Sequence, residues 1–423
     1  MNLTSEQIGA LTTAQVAGLT TDDLAALTVK QFVAVGTANI AALTTAQAAA
    51  LTTEQVAKLS TDQLAAIETA DIAALTTAGV AAIDPRSIGA LTSAQLGALT
   101  TAQVGVLTDK QVTSLTTAQI AGLATDDLNA LTTAQFPKLT AEQLGALTTA
   151  QVAVLTTDDL TVLTAKQVAA LTTGSVAALT TAQVAALTTG QVTSLTTEQV
   201  DALTTAQVAA MTTDGVASLT AKQIVALGTA EVAALTTAQV SALTTGQLSK
   251  MTTSQIASME TADVVALSTA QVVALSAEQV GGLTTAQFAA LETADVGALT
   301  LKQIKGLTTA QIDAFTTAQV PALSTEQIES MSMEQISAFS STDIGAMTAA
   351  QIDAMFAATP IMLDLDGNGI RTVSASNGVQ FGHQRDRHVL PGRLGRAGDG
   401  FLVMDRNGDG AITDGRELFG GGT

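Results

Sequence analysis

The sequence predicts an all-α repeat fold, a solenoid or superhelix of very short capped helices with an eight-residue period, followed by a small α+β, loop-rich C-terminal segment. Three observations predict it. An apolar residue returns at every eighth position from Leu3 to Met347, without insertion or deletion. The letters that follow it, most often TTAQVAA, spell the start of a helix. From Met355 the pattern stops and a Gly- and Asp-rich text begins. The chain therefore divides into 44 octads over residues 3–354 and a separate segment over 355–423. A short fixed period decides the architecture before local propensity does.

Numbering the octad from its Leu, place one is apolar throughout, place two is Ser, Thr or Asp in 38 octads, and place five is Gln in 31. Place six is Val, Ile, Leu or Phe in every octad but one, where Ala48 stands. One continuous α-helix cannot carry this pattern. Eight residues turn through roughly 800°, so the Leu stripe would drift by ~80° per octad. A β-solenoid would send places one and six to opposite faces, and Ala and Gln are poor strand formers. Thr at place two with Gln at place five is instead a capping box. Leu at place one and the apolar residue at place six then form the hydrophobic staple beside it. Each octad encodes a helix from place three to about place eight. A helix this short is unstable alone, so octad must stack on octad along a Leu/Val seam.

Asp84-Pro85 tests the register, since it puts Asp at the cap and Pro at the first helical position, where each is favoured. Glu replaces the cap residue in three ETAD octads, at Glu68, Glu260 and Glu292, and there the cap is expected to move one residue, to Thr. Pro137 and Pro321 fall at place seven, where a helical amide should donate. Two outcomes are open at those sites: a helix of barely one turn, or a distorted last turn.

Composition excludes several functions. Aromatic residues are 2% of the chain, with no Trp or Tyr, which suits a thin repetitive core. The net charge of −20 excludes tracking of a phosphate backbone and suits solubility and cation binding. There is no Cys, hence no disulfide and no thiolate metal site. No apolar run reaches the ~18 residues of a membrane span, and MNLTSEQIGAL has no classical signal-peptide pattern. With two His, no Cys and no G-x-S-x-G, the sequence offers no catalytic constellation, and no enzyme activity is expected.

The chemistry lies in the tail. In DRNGDGAI, Asp405, Asn407 and Asp409 alternate, so three side-chain oxygens can converge on a hard cation. Gly410 allows the sharp turn, Ala411 offers a carbonyl, and Asp414 or Glu417 could complete the sphere. The loop is EF-hand-like, with Arg416 at the usual closing-Glu place and Glu417 one residue late. DLDGNGI repeats the logic with Asp364, Asp366 and Asn368, and Asp399 in AGDG is a further candidate. Ca2+ is the expected cofactor at both loops. His383 and His388 lie among arginines in GHQRDRH and read as solvated loop.

LDLDGNGI…NGVQF…DGFLVMDRNGDGAITDGRELFG resembles the calcium-binding segment of bacterial RTX-related exoproteins, and in particular the start of the FrpC-like self-processing module. The likeness covers roughly residues 359–420 and stops short of a full module. It implies an exported protein, secreted or at the cell surface, sent out by a type I-like system and folding on calcium. By the same likeness Asp364, Asp366, Asn368, Asp405, Asn407, Asp409 and Glu417 would be ligands. Self-processing members cleave an Asp-Pro bond at the module's start; here Thr359-Pro360 stands there, without the attacking carboxyl. The expected function is a non-enzymatic extracellular spacer or adhesin rod with a calcium module. Its partners would be calcium ions and a cell-surface or protein ligand along the rod, with no nucleic acid. One alternative is a self-processing exoprotein that has lost its cleavage residue. Another is an ice- or surface-binding Thr array.

Overall fold

The computed structural model describes residues 3–358 and four short strands: β1 (Met362–Asp364), β2 (Thr372–Val373), β3 (Leu394–Gly395) and β4 (Asp399–Phe401). Among these residues the octads form a succession of helices of four to six residues, beginning at Ser5–Gly9. Each starts at place three and ends between places six and eight, as the capping box requires. In Ala165–Ala169, Thr164 has extended backbone (φ −70°, ψ 157°) and its hydroxyl accepts from the Gln167 amide, while Gln167 Oε1 accepts from the Thr164 amide at 2.7 Å. Place one then adopts extended backbone again, and the next octad restarts.

The exceptions have local causes. Asp84 caps with its carboxylate, accepting from the Arg86 amide at 2.8 Å with Pro85 at the first helical position. Pro137 and Pro321 lack the amide that would bond four residues back, so their octads tighten into 3-10 turns at Phe136–Lys138 and Val320–Ala322. The ETAD octads correct an expectation. Their helices begin at Thr69, Thr261 and Thr293 with Glu at the cap position and no side-chain cap bond. The cap does not move to Thr, because stacking fixes the register more strongly than one hydroxyl can shift it.

The chain forms two compact units, Met1–Leu227 and Gly228–Thr423. Within each, a helix packs mainly on the helix three octads away, so 24 residues make one turn of the solenoid. In the first unit the place-one and place-six residues from Leu24 onward line the interior, with Leu64, Val104 and Leu144 at 0% exposure. Burying each such side chain contributes roughly 1.5–3 kcal/mol, which must offset the ordering of eight residues. In the second unit Phe315 stacks on Phe339, three octads on, with ring centroids 5.9 Å apart, and meets Phe288 edge-on at 5.1 Å. The last octad helix runs on past Met355, from Ala349 to Ala358. In the tail, β1 pairs antiparallel with β4 and β2 with β3.

Candidate functional site

Place five does more than cap. The Gln167 side chain, buried at 4% exposure, turns its Nε2 to the carbonyls of Phe136 at 3.0 Å and Leu139 at 2.8 Å. Those carbonyls lie where the helical turn of the octad 131–138 ends and the octad three back begins. One amide therefore caps the start of its own helix through Oε1 and the end of another through Nε2. The bond recurs with a sequence separation of 28 residues, as in Gln55 to Leu27 in the first unit and Gln303 to Leu275 in the second. It answers the question of where the orphan helix-end carbonyls find donors.

These nodes join into strings. Gln191 donates to the Leu163 carbonyl; the amide of the same peptide group, on Thr164, donates to Gln167; Gln167 donates to Leu139. The relay continues through Thr140, Gln143, Thr116, Gln119, Thr92 and Gln95 to the Ile67 carbonyl. Side-chain amides and peptide groups alternate, each accepting at its oxygen and donating at its nitrogen, so each bond polarises the next. The string is bounded by residues that cannot donate, Gly215 above and Asp71 below.

Aspartate at place five is the costly substitution. Thr133, Thr237 and Thr269 donate to Asp159, Asp263 and Asp295 from the previous turn. Thr156 also donates to Asp159 Oδ2 at 2.5 Å. In ETAD octads the cap position is Glu and supplies no hydroxyl, and Oδ2 of Asp71, Asp263 and Asp295 is buried without a hydrogen-bond partner. Asp127, at 8% exposure, is pushed above the usual aspartate range by burial and then by the Asp126 carboxylate. Glu142 and Glu198, at place four, are held below the usual glutamate range, first by their own backbone amides and then by the Thr140 and Thr196 hydroxyls.

Places two to four face outward through most of the array. The place-two hydroxyls already accept amide bonds, which leaves place three and place four as outward chemistry. A recess beside Glu68, lined also by Thr69, Thr92 and Gln95, has its Gln95 amide committed to the Ala65 and Ile67 carbonyls. Among the described residues no three His, Cys, Asp or Glu side chains stand together as a metal site, and no helix is long and apolar enough to cross a membrane.

The calcium candidates are in the tail. Asp366, Asn368, Asp405, Asn407, Asp409, Ala411, Asp414 and Glu417 lie outside the described residues, as do His383 and His388. Asp364 ends β1, and the strand register sets its Cα opposite that of Asp399 in β4. The backbone thus pairs two of the acidic positions singled out in the sequence. Sequence reasoning missed the second role of the place-five amide; the preference for Gln in 31 of 44 octads, over the Glu, Asp or Ser that would also cap, was the signal that a cap alone does not explain.

A solenoid of one-turn helices, locked by a glutamine at most of its restarts, defines an α-helical repeat protein. The chain belongs to the ALTTAQ repeat family, whose model matches it in successive segments from residues 1–29 to 288–325, well over half of its length. Residues 361–423 match the SPM domain. The chain is also similar to the iron-regulated protein FrpA of Neisseria meningitidis serogroup C, with 46% identity over 66 residues, 15% of this chain and 6% of that protein. It thus spans only a small part of the curated relative it matches.

Proposed function

We propose that the protein is a non-enzymatic extracellular scaffold, a spacer or adhesin, whose C-terminal segment binds Ca2+. One observation carries the scaffold reading: the conserved letters of the octad are spent on the fold. Leu and Val fill the interior, and Thr and Gln close helix ends. What remains outside is largely Thr and Ala with a net acidic charge, 29 Asp and Glu against 10 Lys and Arg over residues 3–354, a surface suited to spacing or to weak, repeated contact.

The calcium reading is supported by the Asp/Asn spacing of both tail loops and by their resemblance to the calcium-binding segment of RTX-related exoproteins. The same resemblance supports export to a calcium-rich exterior. Titration of the full chain with Ca2+ by calorimetry tests it. Binding is expected, with loss of at least one site in the Asp405→Asn, Asp409→Asn double variant. Absence of heat in the unaltered chain would sink the reading. Incubation with calcium is expected to give no new fragment ending near Thr359, because that residue has no carboxyl to attack the next peptide bond.

A further inference from the structure

Within the second unit, the final turn of octads has a face that no octad covers. Ile344 stands at place six, yet it is 36% exposed, where Ile312, Val320 and Ile328 at the same place are 0%. Ile352 is half-buried. The sequence explains the change. The carbonyls of Met331, Phe339 and Met347 would each take an amide from 28 residues on, and Thr359, Gly367 and Ala375 stand there instead of Gln. The final turn thus ends in apolar side chains with no octad amide to follow.

We propose that this face is the seat of the chain's own segment 359–423, which closes the solenoid as a terminal cap. Two things on the molecule select that occupant. The segment leaves from this end directly after Ala358, and the helix that leads into it is still packed at Ala354 and Met355, at 3% and 7% exposure. It opens with the apolar run Pro360–Leu363, suited to meet Ile344 and Ile352. A repeat array exposes its last apolar face unless an atypical unit covers it.

The proposal rests on the reading of the tail as a calcium-ordered module, and the test separates the two. The chain has no cysteine, so Ile344→Cys, Ile352→Cys and the reference Leu301→Cys each give a single thiol in the full chain. Leu301 is 44% exposed at place three of the same unit. With calcium, maleimide labelling at 344 and 352 is expected to be about tenfold slower than at 301. Slow labelling that becomes fast with chelator supports the cap and its dependence on calcium. Slow labelling under both conditions supports the cap and leaves calcium to the calorimetry alone. Labelling at both positions as fast as at 301, in calcium, overturns the cap even where calorimetry finds binding. Circular dichroism of each variant excludes unfolding as the cause.

Discussion

Gln167 reaches across 28 residues to donate to the main-chain carbonyl of Leu139 at 2.8 Å, while its other amide atom holds the Thr164 N–H. Removing the side chain should therefore cost more than removing a cap. Gln167→Ala is expected to destabilise the array by about 2–4 kcal/mol, because it leaves the Leu139 carbonyl and the Thr164 amide without partners and removes the second donor from the Phe136 carbonyl, which keeps the Leu139 amide. Thr164→Ala is expected to cost about 1 kcal/mol. Urea midpoints of the two variants check this, and equal midpoints would show that the long-range bonds add nothing.

Gly79 occupies place five with no side chain to cap either helix. An added Cβ would meet Thr76 Oγ1 at 3.2 Å, a contact inherent to the capping box. Gly79→Gln would reach the Leu51 and Ala48 carbonyls, by the 28- and 31-residue separations of the other nodes. A gain of about 1 kcal/mol is expected, from the added hydrogen bonds and the loss of glycine's backbone freedom in the unfolded chain. A lowered melting temperature would contradict the geometry.

Asp127 gives the array a pH dependence. Its carboxyl titrates above the usual range in the folded chain, so its ionisation opposes folding. Its contribution is fully present below the unfolded value near 3.9 and is lost as pH rises through the higher folded value. Asp127→Gln should thus be more stable than the unaltered chain at pH 7, by about 1–2 kcal/mol, with the Leu99 and Leu96 carbonyls as new acceptors. The difference should shrink below pH 4. Chemical unfolding at both pH values checks it, and a gap that widens in acid would reverse the assignment.

Place eight tolerates little bulk where turns touch. A Cβ on Gly306 would lie 2.7 Å from the Ala277 carbonyl oxygen and 2.9 Å from its Cβ. Gly306→Ala is expected to destabilise by about 1–3 kcal/mol. Gly190, at place four, meets nothing nearer than Thr188 Oγ1 at 4.0 Å, and Gly190→Ala should stabilise by about 0.5–1 kcal/mol. Thermal melts of the pair should move in opposite directions.

An orphan carboxylate oxygen can be rescued from its neighbour. Thr156 satisfies Asp159 Oδ2, whereas Glu260 leaves Asp263 Oδ2 without a donor. Glu260→Thr is expected to raise stability by about 1 kcal/mol. No change in the urea midpoint would mean that the hydroxyl does not reach.

Much of the local fold is legible in one octad. Thr164 and Gln167 lie three residues apart, and that spacing alone specifies the cap, the helix start and the staple. Asp84-Pro85 confirms the same register. The fate of Pro137 and Pro321 is not legible, because a missing amide permits either a shorter helix or a tighter one, and only packing selects the 3-10 turn. In the tail, the acidic spacing of Asp364 and Asp366 is plain in the sequence, but the pairing of β1 with β4 that sets Asp364 opposite Asp399 joins positions 35 residues apart.

What the sequence determined by itself is therefore the contents of each eight-residue word, since hydroxyl, amide and apolar groups three or four residues apart find each other through local geometry. The tertiary structure alone decided that three words complete a turn. That number depends on how short helices pack against one another, with small residues such as Gly306 and Ala277 setting the approach, and no pair within an octad encodes it. It also decided that a glutamine read as a cap is equally the bond between turns, because its second partner comes within reach only after the chain has wound once around.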